Sequence, residues 1–243
     1  MNALTPLPEA TVVPMAGDCA LLPDHALFVG LCAAEQERIA QTFSIHRFND
    51  GAPILLDGAP MVGVIQSGAL ARVSRSGIGM QTVGLLLCGD LVSPAGPRTS
   101  GVLAMALDRT AIFGTSAEHF RALLREVPRL QLNYLDLVAT ELQATRGWYT
   151  MLGRKTAPER VASLILRLSR QSIPGSEGLI DLLLTRDRIG SLLGLKMETV
   201  SRQIRAFSKA GVIEMHSPTK IKVLDKAALV RATGDIWRET SRL

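Results

Sequence analysis

Glu198, Ser201 and Arg202 place a carboxylate, a hydroxyl and a guanidinium in one short stretch near the C-terminus. On a helix these three residues share a face, because they are three and four positions apart. A guanidinium can bond O6 and N7 of guanine as a fork, and a carboxylate can accept a hydrogen bond from the amino group of cytosine. These residue types can therefore form hydrogen bonds with the edges of bases, provided that all three lie on a helix.

Two short helices separated by a glycine are predicted at this point. Ile189, Leu192 and Leu193 give the first helix one apolar stripe, and Gly194 ends it. The second helix spans residues 197–209, with apolar residues repeating at helical spacing. Two helices joined by a tight turn that contains glycine form a helix-turn-helix, whose second helix enters the major groove of DNA.

A basic hairpin follows directly. Residues 212–215 and 220–224 are predicted strands, and Ser217-Pro218 is the turn between them. A solvated amphipathic helix is the competing interpretation of residues 197–209, but the adjoining hairpin favours a winged helix-turn-helix. The residues expected to contact double-stranded DNA are Glu198, Ser201, Arg202, Arg205, Thr199, Lys196, Arg186 and Lys220.

Charge is distributed unevenly along the 243 residues, whose formal net charge is +5. Residues 154–243 hold 17 Lys or Arg against 9 Asp or Glu, a net +8, whereas residues 1–153 hold 10 against 13, a net −3. A basic C-terminal part points to binding of the phosphate backbone. No apolar run is long enough to cross a membrane, and the first residues do not have the pattern of an export signal, so we expect a cytoplasmic protein with no membrane partner.

The N-terminal half has the pattern of an antiparallel β-domain. Strands of alternating or wholly apolar residues alternate with turn residues. Seven are predicted: 43–48, 53–56, 62–66, 69–75, 81–87, 102–107 and 110–114. We therefore expect an α+β chain with a flexible arm at 1–20, a β-roll sensor domain at 21–127, a dimerisation helix and hinge at 128–153, and a DNA-binding domain at 154–243.

The helix predicted over residues 128–152 is apolar on more than one face, so more than one neighbour must cover it. One side can pack on the β-domain, and the other on the same helix of a second copy, which would give a two-fold homodimer. Burial within a single chain is the alternative. The residues expected at the dimer interface are Leu130, Tyr134, Leu137 and Leu142.

This order of domains resembles the CRP/FNR family of transcription regulators. The resemblance rests on residues 159–171, 185–204 and 88–92. It implies a β-roll of the cyclic-nucleotide-binding type, a long dimerisation helix and a winged helix-turn-helix. It also implies a non-enzymatic activator that contacts RNA polymerase. No Walker loop, Gly-x-Ser-x-Gly or zinc-like Cys/His spacing indicates an enzyme.

Within the family, the pattern Glu-x-x-Ser-Arg is typical of the FNR and FixK branch, and it stands here as Glu198, Ser201 and Arg202. Met197 occupies the place where cAMP-responsive members have Arg. The resemblance therefore implies a palindromic operator of the TTGAT…ATCAA type and target genes for low-oxygen or nitrogen-oxide metabolism. A cyclic-nucleotide or haem-responsive effector module of the same fold is the alternative function.

The resemblance leaves the signal open. Gly89-Asp90 and Arg98-Thr99 match the positions that hold a cyclic nucleotide in other members, but Asp replaces the usual Glu. The cofactor is also undetermined, with haem or no cofactor as the alternatives and no metal ligand assigned. The haem candidates are His25, His46 and His119. Cys19, Cys32 and Cys88 lack the close spacing of an iron–sulfur site, and a redox-active thiol would need an exposed position and a lowered pKa.

Overall fold

The structure is a computed structural model that describes residues 11–12, 25–56, 59–76, 79–93, 102–169 and 179–235. It divides into two compact units, Met1–Thr145 and Arg146–Leu243, and the division falls inside a long helix. Antiparallel strands dominate the first unit, and short helices with a small sheet make up the second. The predicted α+β fold class is confirmed.

The first unit contains all seven predicted strands. Its strands are β1 (Thr11–Val12), β2 (Ser44–Phe48), β3 (Leu55–Leu56), β4 (Ala59–Ser67), β5 (Ala69–Ser76), β6 (Gly79–Leu87), β7 (Leu91–Val92), β8 (Val102–Ala106) and β9 (Thr110–Ser116). Its helices are α1 (Ala33–Thr42), α2 (Ala117–Glu126) and α3 (Pro128–Arg154), the last of which continues into the second unit. The sequence did not predict β1 and β7, which are two residues long.

The strands of the first unit form two antiparallel sheets. One has the order β1-β2-β9-β4-β3 with β7 paired to β4, and the other has the order β6-β5-β8. Strands β2 and β4 flank β9, so His46 pairs with Ile112 and Val64 with Phe113. Because β9 follows β8 in sequence but pairs in the other sheet, the chain crosses between the two sheets, as in a roll.

Two apolar cores lie on opposite faces of the larger sheet. Val62 and Val64 of β4 point to the core under the helices, whereas Met61 and Ile65 point to the core between the sheets. Strand β4 is therefore buried on both faces, which explains why its sequence is a continuous apolar run rather than an alternating one.

Helix α3 begins by packing on its own β-domain. Leu130 has no exposed surface and belongs to the core under the helices. One turn later the buried Asn133 donates from Nδ2 to the carbonyls of Leu27 (3.0 Å) and Val29 (2.8 Å). These bonds satisfy two backbone acceptors of the turn before α1 and fix the rotation of the helix about its axis.

The same face of α3 continues with an aromatic contact and an ion pair. The ring of Tyr134 lies 5.1 Å from that of Phe120, and Leu137 packs against the same core. Glu141 then forms a largely buried ion pair with Arg72 of β5. The first half of α3 is thus held to the β-domain by apolar contacts, hydrogen bonds and a charge pair in succession.

This packing corrects the expected set of dimer residues. Leu130 is wholly enclosed by its own chain, so it has no surface to offer a partner. Tyr134 and Leu137 are half-buried against the same core. Of the four predicted interface residues, Leu142 is the most exposed, with 50% of its surface accessible. Both faces of α3 are apolar, and the sequence did not indicate which of them the β-domain covers.

Two further expectations differ from the structure. Within the predicted arm 1–20, Thr11–Val12 form β1 and pair with Arg47 and His46 of β2, and the other residues of the arm lie outside the described part. The break after the long helix begins at Lys155, because Gly153 and Arg154 still belong to α3 and the amide of Lys155 donates to Met151 at 3.0 Å.

The second unit follows the predicted order. Its elements after α3 are α4 (Ala157–Ser169), β10 (Leu179–Asp181), α5 (Arg186–Leu193), α6 (Met197–Lys209), β11 (Ile213–Met215), β12 (Lys220–Val223) and α7 (Lys226–Ala232). The sheet has the order β10-β12-β11, so the strand before the helix-turn-helix pairs with the hairpin. Helix α4 has one apolar face that is buried, formed by Val161, Leu164, Ile165 and Leu168 at helical spacing.

Candidate nucleic-acid interface

Local interactions define the ends of α5. Thr185 caps its start, and its hydroxyl accepts from the amide of Arg188 at 3.3 Å. Gly194 ends it in the left-handed conformation, with φ of 63°, which costs a glycine little. The turn then brings Lys196 to the N-cap of α6. Both helix boundaries were therefore readable from residue types.

The turn lies against α5 at a position that only glycine fits. A Cβ on Gly190 would be 2.6 Å from the carbonyl oxygen of Leu195, a separation that real Cβ contacts essentially never show. The amide of Leu195 in turn donates to the carbonyl of Gly190 at 2.8 Å. The close approach of the turn to α5 sets the angle between α5 and α6.

Helix α6 is divided into an apolar and a polar face. Val200 and Ile204 are buried in the second unit, whereas Glu198 and Arg202 on the other face are exposed. Glu198 and Arg202 are separated by one helical turn, so each can hold the other in position. The polar face therefore presents a guanidinium and a carboxylate side by side to solvent.

The eight residues expected at the DNA surface all lie in the second unit, on α5, on α6 and its N-cap, and on the hairpin. The exposed ones are Lys196, Glu198, Arg202, Arg205 and Lys220, and the partly buried ones are Arg186, Thr199 and Ser201. Five of the eight are cations and one is an anion, so the surface attracts phosphate.

A cleft of about 440 Å³ separates α6 from the hairpin. Arg186 of α5 and Ser201 and Arg205 of α6 line one side, and His216 and Ser217 of the hairpin line the other. The helices and the hairpin thus form one continuous surface. His216 and Ser217 were not predicted from the sequence, because their position opposite α6 depends on the fold of the hairpin.

Arg186 is the most unusual side chain of this cleft. Its Nη1 atom is buried and has no hydrogen-bond partner among the described residues. Burial lowers the pKa of the Arg186 guanidinium from its ordinary value, because desolvation disfavours the charged form. An arginine nonetheless stays charged at neutral pH. The Arg186 side chain lines the cleft, so its positive charge attracts an anion that enters there.

The tip of the hairpin is ordered by its own hydrogen bonds. The hydroxyl of Ser217 accepts from the amides of Thr219 (3.2 Å) and Lys220 (2.9 Å). His216 Nε2 lies 3.2 Å from a carboxylate oxygen of Glu214. The hairpin of β11 and β12, which is the wing of the winged helix-turn-helix, is therefore already ordered without DNA.

Comparisons with known proteins agree with this geometry. Residues 159–232 match the family model of the Crp-like helix-turn-helix domain. The transcriptional activator protein FnrL of Cereibacter sphaeroides is 30% identical over 93% of this chain and 94% of its own length. A probable transcriptional activator of Rhizobium leguminosarum bv. viciae is 32% identical over 85% of this chain and 89% of its own length.

The chain belongs to the CRP/FNR family of transcription regulators. It is therefore a DNA-binding transcriptional activator of the FNR/FixK type and not an enzyme. The solved structure of FixK2 from Bradyrhizobium japonicum has the same fold, with a TM-score of 0.70 and 23% identity over 79% of this chain and 97% of that one. None of the helices formed by the described residues is both long and apolar enough to span a bilayer.

The residues at the nucleotide position of the CRP/FNR family have other partners here. Asp90 Oδ2 accepts from the amide of Leu87 at 2.8 Å and so closes the turn between β6 and β7. Gly89 next to it has φ of 83° and donates to the carbonyl of Ile65 at 2.8 Å. This carboxylate serves the turn, which does not fit a role in holding a ribose. Arg98 and Thr99 lie outside the described residues.

Two of the three haem candidates, His25 and His46, have hydrogen-bond partners within the β-domain. The ring of His25 accepts from the amide of Leu27 through Nδ1 (3.1 Å) and faces the carbonyl of Gly89 through Nε2 (3.0 Å). His46 is buried with Nε2 2.9 Å from Ser44 Oγ, and His119 is exposed on α2. With both ring nitrogens hydrogen-bonded, His25 does not fit an axial ligand.

The two described cysteines, Cys32 and Cys88, are exposed and form no disulfide. The pKa of the Cys88 thiol is raised, first by burial and then by the neighbouring carboxylate of Asp90. A raised pKa keeps this thiol protonated near neutral pH, which does not fit a reactive cysteine. Cys19 lies outside the described residues. No group of three or more His, Cys, Asp or Glu within the described ranges is arranged to hold a metal.

An unpartnered apolar stripe runs along α3 opposite the face that packs on the β-domain. Leu132, Leu135, Val138 and Leu142 are 56%, 54%, 36% and 50% exposed. Residues 135, 138 and 142 follow the alternating spacing of three and four that is typical of a two-stranded helix seam. The stripe includes Leu142 of the predicted interface residues, and its other three members were not predicted.

Proposed function

We propose that this chain is a homodimeric transcription activator that binds a palindrome of the TTGAT…ATCAA type. The observation that carries the proposal is the exposure of Glu198 and Arg202 on α6 beside a preformed wing. Two copies of α6 related by a two-fold axis would enter successive major grooves, about one helical turn apart. A palindromic operator is the matching DNA symmetry.

Each half-site TTGAT contains a single G·C pair, which suits the two ionic side chains of α6. We assign Arg202 to O6 and N7 of the guanine and Glu198 to the amino group of the paired cytosine. Ser201 and Thr199, which are partly buried beside them, have hydroxyl groups for the flanking bases or sugars. These contacts are the source of sequence preference.

The remaining cations are assigned to the phosphate backbone. Lys196 stands at the start of α6, Arg205 lies one turn beyond Arg202, and Lys220 begins β12 of the wing. Arg186 reaches the cleft between α6 and the wing. Contacts of this kind fix the register of the protein on the duplex and carry no sequence information directly.

Dimerisation is assigned to the exposed stripe of α3. Burying a leucine contributes about 1.5–3 kcal/mol relative to leaving it exposed, and a two-fold axis uses each residue of the stripe twice. Leu142 is retained from the predicted set, and Leu132, Leu135 and Val138 replace Leu130, Tyr134 and Leu137, which pack within their own chain.

The targets are proposed from the FNR/FixK-type reading residues. An activator of this type would act in the cytoplasm of a bacterium on genes of low-oxygen or nitrogen-oxide metabolism. Besides the second copy of the chain, its protein partner would be RNA polymerase. The hydrogen bonds of Asp90 and His25 and the raised pKa of Cys88 do not fit roles as sensing groups.

Fluorescence anisotropy with a labelled TTGAT…ATCAA duplex tests the sequence preference of the reading head, by which we mean the helix-turn-helix of one protomer with its exposed α6 face. Arg202→Ala should reduce the binding free energy on this duplex by about 1–3 kcal/mol per contacted base. The reduction should be small on a duplex in which the G·C pairs are replaced by A·T. The matched control is Arg125→Ala, which removes an exposed cation from α2. Equal losses on both duplexes would reject Arg202 as the guanine reader, and wild-type binding that ignores sequence would reject the proposed function.

A further inference from the structure

We propose that Arg160 is a positioning residue that fixes the helix-turn-helix to the end of the dimer helix and thereby sets the half-site spacing that the dimer recognises. The inference rests on the proposed dimeric DNA binding. Arg160 lies on the first turns of α4, away from the residues assigned to DNA. It is partly buried inside the second unit.

One guanidinium bonds three separate segments of the second unit. Nη2 of Arg160 donates to the carbonyl of Leu152 in the last turn of α3 at 2.7 Å. Nε donates to the carbonyl of Lys155 in the break at 2.9 Å, and Nη1 donates to the carbonyl of Leu193 at the end of α5 at 2.9 Å. The last contact joins residues 33 apart in sequence.

The acceptors explain why an arginine stands here. Leu152 and Leu193 lie at the C-terminal ends of α3 and α5, where the last carbonyls have no partner within the helix and carry the negative end of its dipole. A cation there is stabilising, and hydrogen bonds from a charged donor are stronger than those between neutral groups. The planar guanidinium donates from three nitrogens in fixed directions, whereas a lysine donates from one atom.

Lys155 and Thr156, the two residues between α3 and α4, make further side-chain contacts of their own. Lys155 Nζ binds Asp235 Oδ1 at 2.7 Å and donates to Ser163 Oγ at 2.9 Å. Glu159 accepts from both the amide and the hydroxyl of Thr156, at 2.6 and 2.7 Å, and these two bonds lower the pKa of its carboxyl. The break after α3 is therefore a braced corner that is held by side-chain contacts, and it is not a free hinge.

In a dimer, this braced corner would restrict the position of each reading head. The end of α3 is the point from which each helix-turn-helix departs, so the bonds of Arg160 determine where α5, and with it α6, stands relative to the last turn of α3. If the corner is rigid, the second reading head meets its half-site at a high effective concentration only when the distance between the half-sites equals the distance between the two heads. A loose corner would relax that requirement without altering the contacts of one α6 with one half-site.

The test compares wild type with Arg160→Gln and Arg160→Lys on three kinds of DNA by fluorescence anisotropy. The duplexes are the TTGAT…ATCAA palindrome, palindromes with one base pair more or less between the half-sites, and a single half-site. Arg154→Gln is the matched control, because it removes an exposed cation at the end of α3. Half-site binding also reports whether each variant has folded its reading head.

Arg160→Gln should bind the palindrome about tenfold more weakly, because the effective concentration of the second head falls. Its half-site affinity should stay within about twofold, and its penalty for altered spacing should shrink on the same grounds. Arg160→Lys should fall between Gln and wild type, and Arg154→Gln should match wild type. Equal losses on half-site and palindrome, or unchanged spacing selectivity, would overturn the role of Arg160. A wild type that does not prefer the palindrome over the half-site would instead overturn the dimeric function.

Discussion

At the residue scale, Arg186 differs from the other cations of the DNA surface. Arg202 and Arg205 are solvated on α6, whereas Arg186 has lost part of its hydration and keeps a buried donor with no described partner. The cost of desolvating this charge is offset once a phosphate oxygen enters the cleft. Its contribution should therefore be to affinity and not to sequence preference.

Replacing Arg186 with Gln should weaken binding by a similar factor on matched and mismatched duplexes. It should also reduce the slope of log affinity against log salt by about one for each phosphate that the side chain no longer neutralises. Anisotropy titrations between low and moderate salt measure both effects. Arg231→Gln, which removes an exposed cation from α7, should leave the slope unchanged. A weakening confined to the matched duplex would assign Arg186 to a base instead.

At the element scale, the angle between α5 and α6 depends on the absence of a side chain at Gly190. The turn approaches Gly190 so closely that a methyl group would meet the backbone oxygen of Leu195. Backbone cannot move aside as the end of a flexible side chain can. The helix-turn-helix therefore has its geometry fixed by packing and not only by the left-handed Gly194.

Gly190→Ala should lower both the stability of the second unit and its affinity for DNA. Overpacking costs about 1–3 kcal/mol, which exceeds the gain of at most about 1 kcal/mol from replacing a helical glycine with alanine. Gly147→Ala in α3 is the matched control, because nothing lies within 4 Å of the added methyl group, and it should be neutral or stabilising. Thermal unfolding and operator binding measure the pair. Equal stability of the two variants would contradict the close approach.

At the scale of the whole molecule, α3 has two apolar sides with different partners. Asn133, Tyr134 and the Glu141–Arg72 ion pair hold one side to the β-domain of the same chain. The other side exposes Leu135 and Leu142. A single helix can therefore connect the β-domain to a second copy, and its rotation about its own axis decides which residues each neighbour contacts.

Leu142→Lys should weaken dimerisation at least about a hundredfold, because each dimer loses two buried leucines at about 1.5–3 kcal/mol apiece. Operator affinity should fall with it. Leu103→Lys changes a leucine of β8 that is 46% exposed and should leave the dimer intact. Sedimentation over a range of concentrations measures both. A Leu142→Lys protein that dimerises like wild type would place the interface elsewhere.

The sequence alone determined the elements that depend on neighbours in the chain. Helical periodicity, the caps at Ser116 and Thr185 and the left-handed Gly194 are local features, so the winged helix-turn-helix and its exposed Glu198 and Arg202 were predictable.

Tertiary structure decided what depends on contacts distant in sequence. Leu130 and Leu142 are both leucines on one helix, and only packing enclosed the first and exposed the second. Asn133 bonds the carbonyl of Leu27, and Arg160 bonds the carbonyl of Leu193, 106 and 33 positions away in the sequence. The physical reason is that burial and hydrogen-bond partners are properties of an environment assembled from many segments, which the identity of a residue does not fix.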